Sequence, residues 1–224
     1  MVDPLTALVR SPRTGVPLVL ARGNGFVGLF LVGVTTALST TVAYRTLTET
    51  SVNDFFFGPT RHPFVIFMLD ALGRDRTSVI VYLVQRSFEA VVTATALSPF
   101  FVWLLGSTAV HASARLAGVT RPFAPLFVLF AYATALALVP ADAATLALGD
   151  LPDLANVASL IGLVCLAWLG LITYRAIEVH YEVAGARAFR ILLVAVVLFY
   201  LVPLALIVLA ALGIVLAAIV LGYV

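Results

Sequence analysis

The residues of this chain best suited to chemistry are His111 and Arg115, four apart, and Glu178 and His180, two apart. Two imidazoles and a carboxylate are the donors that hold zinc or another divalent metal. His111, Glu178 and His180 make such a set only if the fold joins two distant stretches, and no tight H-E-x-x-H spacing supports it. The competing reading is a hydrogen-bonded cluster tying two helix ends, with Arg175 and Glu182 nearby.

Other patterns are weaker. Gly23-Asn24-Gly25-Phe26-Val27-Gly28 matches G-x-G-x-x-G, with Glu49 further on. In a dinucleotide-binding fold those glycines let backbone approach a pyrophosphate. Here an uncharged apolar run follows and leaves no room for a parallel sheet, so the stretch reads as a turn into a helix with small packing residues. Thr35, Thr36, Ser39, Thr40 and Thr41 either line a polar seam or bond the carbonyl four residues back and bend their helix. Arg86 and Glu89 either mark an ion path or pair as a salt bridge with a snorkelling arginine. No nucleophile–base arrangement is visible, so no catalytic residue and no cofactor are expected.

The elements that must position these groups follow from composition. Of 224 residues, 62% are apolar and 11% charged, with mean hydropathy +1.13. A soluble domain carries roughly 25% charged residues. The surplus of apolar surface needs lipid, which excludes a soluble enzyme, a nucleic-acid binder and a disordered chain. Formal net charge is only +2, too balanced for a phosphate-backbone partner. All 13 basic residues are arginine, and the single cysteine, Cys165, leaves no intramolecular disulfide.

A spanning helix needs about 20 mostly apolar residues. Five stretches qualify: 26–44, 90–110, 123–139, 157–174 and 191–220. The second is read as continuous with Ser78–Glu89. The third is bounded by Pro122 and Pro140, and Asp153 or Asn156 is placed to cap the fourth. The fifth is counted as one span kinked at Pro203, which lacks the N–H for the bond to Phe199. As bounded, none of the five contains Asp, Glu, Lys, Arg or His. Hydrolases within membranes, proton-coupled carriers and voltage sensors need such groups at depth.

Between the first two spans, Phe55-Phe56-Phe57, Gly58-Pro59 and the apolar stretch Pro63–Leu72 predict an interfacial helix, since ten residues are too few to cross. Small residues at four-residue spacing let helices approach in lipid. Candidates are Gly33/Ala37/Thr41, Ala90/Ala94/Ser98, Ala131/Ala135, Ala158/Gly162 and Gly213/Ala217. The fold expected is thus all-α: a polytopic transmembrane bundle of five spans forming one domain over 1–224, preceded by a short cytosolic segment 1–25. No secretory signal is evident, because the first apolar run is a full span with no small-residue cleavage site after it.

Arginine in the connections sets orientation. Arg10, Arg13, Arg22, Arg115, Arg121, Arg175, Arg187 and Arg190 fall on one side. The other side has five, all in segment 45–89 and offset by Glu49, Asp54, Asp70, Asp75 and Glu89. The connection 140–153 has no arginine and carries Asp142, Asp150 and Asp153. The N-terminus is therefore expected in the cytosol and the C-terminus outside a cell membrane.

Several short motifs carry a family likeness. Ala7-Leu8-Val9-Arg10-Ser11-Pro12 precedes the first span. Trp103-Leu104-Leu105-Gly106 runs on to His111-Ala112-Ser113-Ala114-Arg115-Leu116-Ala117-Gly118. Phe123, Ala131-Tyr132-Ala133 and Pro140 mark the third span, and Glu178-Val179-His180 with Arg187-Ala188 precedes the last. In these the chain resembles, along nearly its whole length, the prokaryotic branch of the Yip1-domain family of five-span membrane proteins. It departs in lacking a proline between Thr134 and Val139, and in having only residues 1–25 where eukaryotic members carry a long cytosolic region. The resemblance implies a five-span membrane protein whose prokaryotic relatives have no settled role; the uncharged spans and the arginine asymmetry point to a non-enzymatic one. Eukaryotic members are associated with Rab GTPases, vesicle traffic and membrane shaping, an association tied to a region this chain lacks.

The function expected is to bind partners or organise membrane, with Arg10, Arg13, Arg115, Arg121, Arg187 and Arg190 meeting anionic headgroups or a cytosolic protein. The lipid bilayer is the first partner, a membrane or cytosolic protein or a second copy of the chain the next, and nucleic acid none. The alternative is a solute transporter or lipid-translocating protein using the Thr/Ser seam and the His/Glu cluster.

Overall fold

The computed structural model describes residues 3–49, 57, 63–149, 151 and 154–220. Nearly all of these lie in eight α-helices: α1 (Pro4–Arg10), α2 (Pro12–Arg22), α3 (Gly25–Glu49), α4 (Pro63–Ala96), α5 (Ser98–Leu116), α6 (Phe123–Leu148), α7 (Ala155–Tyr181) and α8 (Gly185–Val220). Five stretches are long and apolar enough to cross a membrane: Gly25–Glu49, Val65–Ala96, Phe123–Leu148, Asn156–Tyr181 and Gly185–Ala205. Their length and composition make the chain an all-α, multi-pass membrane protein. Their outer faces carry large exposed apolar side chains such as Phe30, Leu163 and Val197, the surface that hydrocarbon solvates.

Helix α6 is the centre of the bundle. It packs against α3, α5, α7 and α2 and buries Leu126, Leu129, Phe130, Ala131, Tyr132 and Ala135. Helix α3 runs parallel to it: Gly28 lies beside Ala131 at one end, and Arg45 Nη1 donates to the Leu146 carbonyl at 2.8 Å at the other. Helix α5 runs antiparallel, because Trp103 Nε1 donates to the Phe127 carbonyl (2.9 Å) while His111 stacks near Phe123. The N-termini of α3, α6 and α8 and the C-termini of α5 and α7 therefore share one end of the molecule, called here the arginine end.

Several expectations are corrected. The stretch 90–110 is not one helix, since α4 ends at Ala96 and α5 starts at Ser98, with Leu97 at φ −90°, ψ 1° between them. Pro99 in the first turn of α5 has no N–H for a carbonyl four residues back. None of α4's buried residues belongs to the main core, whereas α5 gives it Trp103, Ala109, Val110 and Ala114. The stretch 123–139 does not stop at Pro140, because α6 passes through that proline to Leu148. Asp142 consequently sits on a helix and not in a connection, and the apolar helices are not free of ionisable groups. The cap of α7 is Leu154 without a side-chain bond, and Asn156 lies inside the helix; Asp150 and Asp153 fall outside the described residues. The last apolar run belongs to one helix, Gly185–Val220, with Pro203 inside it.

Segment 3–25 is two docked helices. Pro4 and Pro12 each start one, as proline does in a first helical turn, and Ser11 Oγ accepts from Arg13 N at 3.3 Å. Leu8, Val16 and Val19 are buried in the main core. The two helices meet so closely that a Cβ on Gly15 would lie 2.3 Å from Leu8 Cα. Gly23-Asn24-Gly25 is the turn into α3, where Asn24 Oδ1 accepts from Phe26 N at 2.8 Å.

Pro63–Leu72 is helical, and Gly73 at φ 76°, ψ 167° divides it from the rest of α4. The two limbs fold back on one another: Val65 and Val81 bury together, and Thr77 Oγ1, bonded to the Gly73 carbonyl at 2.8 Å, also reaches the Met68 carbonyl of the first limb at 3.5 Å. Phe55, Phe56, Gly58 and Pro59 fall outside the described residues.

Packing stripes differ from the spacing argument on α3. Its buried side is Gly28, Val32, Thr35, Ser39 and Ala43, while Gly33, Ala37 and Thr41 face outward. Ala90 and Ala94 are also exposed; Ala131, Ala135 and Ala158 are buried.

Candidate functional site

The arginine end gathers most of the residues singled out above. Helix α7 ends in a tight turn. Glu182 takes the left-handed conformation (φ 54°, ψ 43°), Val183 N donates to the Glu178 carbonyl, and α8 starts at Gly185. That turn brings the last residues of α7 against the last turns of α5. His111 Nδ1 lies 2.9 Å from the Tyr181 hydroxyl, and the His180 ring meets Tyr181 edge-on at 4.8 Å. Tyr181, almost fully buried, thus stands between the two histidines. His180 Nε2 reaches the Pro122 carbonyl at 2.9 Å, pinning the α5–α6 connection to α7.

Glu178 does not join the histidines. It pairs with Arg175 one helical turn away, and its carboxylate faces Gly185 beside the Tyr174 hydroxyl. Arg115, in the last turn of α5, is exposed. Among the described residues no group of three or more His, Cys, Asp or Glu side chains could hold a metal ion. What the cluster does chemically is cross-link α5, the α5–α6 connection and α7 by hydrogen bonds. Tyr181, the residue sequence reasoning passed over, is its hub. Its only signal was a phenol next to His180 at the close of an apolar run.

Charge around the cluster is unevenly satisfied. Arg121 pairs with Glu182 and Arg175 with Glu178. Arg187 Nη2 donates to the Ala117 carbonyl at 2.6 Å, linking α8 to the end of α5. Arg10, Arg13, Arg22, Arg115, Arg187 and Arg190 form no ion pair with a carboxylate among the described residues. All are exposed. Six cationic heads therefore face outward, and four of them (Arg22, Arg115, Arg187 and Arg190) border the arginine end, an arrangement that attracts anions near a membrane surface.

The opposite half holds a polar contact that the sequence placed in a connection. Ser39 Oγ, on the buried side of α3, donates to the Asp142 carboxylate on α6. Thr35, Thr36, Thr40 and Thr41 instead bond carbonyls four residues back on their own helix, at 2.7–3.0 Å. Thr134 Oγ1 is buried without a partner. Arg86 and Glu89 pair at 2.8 Å on an exposed face of α4, and the Arg86 guanidinium lies 5.4 Å from the Tyr82 ring centroid. That pair is local to its helix and meets none of the other polar groups described above.

The sequence matches no family model, no curated protein and no solved structure.

Proposed function

We propose that this chain is a non-enzymatic integral membrane protein of the Yip1-domain kind, with its arginine end in the cytosol and its C-terminus outside. Its work there is to organise the bilayer or bind partners. The observation that supports this best is the set of six exposed arginines without carboxylate partners among the described residues, four of which (Arg22, Arg115, Arg187 and Arg190) border the end where five helix termini meet. Unpaired guanidinium groups beside apolar helices favour anionic headgroups, at roughly 1 kcal/mol per residue near the surface, and the positive-inside bias puts such an end in the cytosol.

The test of placement uses single cysteines in a Cys165→Ser background. An impermeant maleimide added to intact cells should label Leu151→Cys and leave Val119→Cys unlabelled until the cells are opened. The reverse pattern overturns the orientation. Crosslinking in intact membranes followed by purification in mild detergent should return a partner protein or a defined lipid, and recovery of the chain alone, without either, overturns the binding role.

A second reading, a solute or lipid-translocating protein, draws on the Ser39–Asp142 contact and on the unpartnered Thr134 hydroxyl within the same apolar bundle. Polar groups at membrane depth often mark a path. Movement of solute or lipid in reconstituted vesicles, lost in Asp142→Leu, would establish it.

A further inference from the structure

Helices α5 and α8 run antiparallel at the arginine end, joined there by the bond from Arg187 Nη2 to the Ala117 carbonyl. A hollow of about 310 Å³ opens between them. Helix α8 lines it with Arg187, Arg190, Ile191 and Val194, which share one helical face at i, i+3, i+4 and i+7. Ser113, Leu116 and Ala117 at the end of α5 form the facing wall. Ser113 and Ile191 are buried and make the floor, whereas Leu116 and Val194 stand open at the sides. A separate apolar hollow over Phe130 shares none of these residues and is no part of the site.

The rim is cationic without compensation. Neither α5 nor α8 contains an Asp or a Glu; the acids that flank them along the chain are Glu89, Asp142 and Glu182. Glu182 is taken by Arg121. Arg190 makes no hydrogen bond or ion pair among the described residues, and Arg187 makes its one bond to Ala117. A guanidinium carries five N–H donors in a planar fork that matches phosphate oxygens, so most of the donors on this rim are unspent. Both arginines lie in the first two turns of a helix apolar and long enough to span. Val194 stands one turn beyond Arg190, about 6 Å further along the axis. The hollow is therefore charged at headgroup height and apolar on the side of the hydrocarbon.

We infer that the α5–α8 hollow seats the phosphate of one anionic phospholipid from the leaflet at the arginine end, an inference that rests on the membrane placement proposed above. Arg187 and Arg190 donate to the phosphate oxygens, and the Ala117 carbonyl holds the Arg187 guanidinium at the rim. Both acyl chains stay in the bilayer, passing Val194. Charge complementarity selects an anion. The apolar sides select a lipid over an acidic protein segment, whose solvated carboxylates would gain nothing from Leu116, 76% exposed, or from Val194.

The experiment is native mass spectrometry of the purified full chain with dioleoyl phosphatidylglycerol or dioleoyl phosphatidylcholine. The wild type should retain one phosphatidylglycerol in preference to phosphatidylcholine. Arg190→Gln, which breaks no bond of the fold, should weaken that retention about fivefold, and Arg187→Gln with Arg190→Gln about thirtyfold. Arg10→Gln with Arg13→Gln removes the same charge outside the hollow and should leave the preference intact. An equal loss in that control pair would reduce the effect to long-range attraction and overturn the site. Equal retention of the two lipids, or a preference that survives the Arg187/Arg190 double variant, overturns it as well. Neither glycerol phosphate nor a hexaglutamate peptide should displace the lipid. Displacement by the first would make the site one for free phosphate, and by the second one for an acidic protein; either overturns the lipid. Release of the chain from membranes by alkaline carbonate would instead overturn the membrane placement, so the two failures are distinguishable.

Discussion

The Tyr181 hydroxyl stands 2.9 Å from His111 Nδ1, joining the end of α7 to the last turns of α5 across the arginine end. Both residues also pack on rings: His111 lies 5.1 Å from Phe123, and Tyr181 meets His180 edge-on. Tyr181→Phe keeps the ring and removes the hydroxyl, so it should cost about 1 kcal/mol in unfolding from detergent micelles. His111→Phe should cost a similar amount. The double variant should cost less than the sum, with a coupling of about 0.5–1.5 kcal/mol. Strict additivity would mean that the two side chains do not act on each other.

The helical hairpin that precedes α3 depends on Gly15. A Cβ at that position would come within 2.4 Å of backbone atoms of Leu8, and backbone cannot step aside as a flexible side chain can. Gly15→Ala should therefore destabilise the docked α1–α2 pair by about 1–3 kcal/mol, as overpacking does. Faster hydrogen exchange confined to residues 4–22, with the amides of α6 unchanged, is the expected signature. Unaltered exchange in α1 and α2 would show that the close approach is not needed.

How much of this arrangement could be read from the sequence depends on the solvent on each side of a helix. The apolar helices were legible because hydrocarbon demands long uncharged runs, and the stretches 26–44, 157–174 and 191–220 fall inside α3, α7 and α8. Which face packs was not legible on α3. Lipid and protein neighbours are both apolar there, so periodicity carries little information, and the spacing of Gly33, Ala37 and Thr41 pointed outward while Val32, Thr35 and Ser39 turned in. Pro140 misled in one direction and Pro99 in the other: the first is carried within α6, and the second opens a new helix after a break at Leu97. At the arginine end, the sequence left open whether His111 and His180 meet, and it gave almost no sign of the tyrosine that stands between them. Glu178 went to its own helix neighbour, Arg175, because a partner one turn away needs no tertiary alignment.

Ser39 and Asp142 should behave as a unit. Ser39→Ala removes a donor from a carboxylate held against the apolar helix α3, and a hydrogen bond to a charged group contributes about 1.5–3 kcal/mol. Asp142→Asn alone should be milder, because the amide oxygen still accepts from Ser39. In the Ser39→Ala background, Asp142→Asn should recover part of the loss, since a neutral amide needs the missing donor less than a carboxylate does. Reversible unfolding in mixed micelles measures all three. A Ser39→Ala cost that Asp142→Asn leaves untouched would show that the serine acts through packing alone.

The hairpin of α4 should come loose without disturbing the bundle. Gly73 adopts φ 76°, ψ 167°, a region essentially closed to residues with a Cβ, so Gly73→Ala should cost about 1–3 kcal/mol. Nothing crowds the position sterically, since an added Cβ would meet no atom within 4 Å; the cost is in the backbone alone. That cost should fall on the limb Pro63–Leu72. Its contact with the rest of α4, through Val65 and Val81, forms a cluster separate from the one that α3, α5, α6, α7 and α8 share. Separate clusters open separately. Hydrogen exchange should rise across residues 65–72 in Gly73→Ala, while the thermal midpoint read from Trp103 burial stays within about 2 °C of the parent. A midpoint that falls with the hairpin would mean that α4 supports the core helices through its packing on α3, and the two clusters would have to be treated as one cooperative unit.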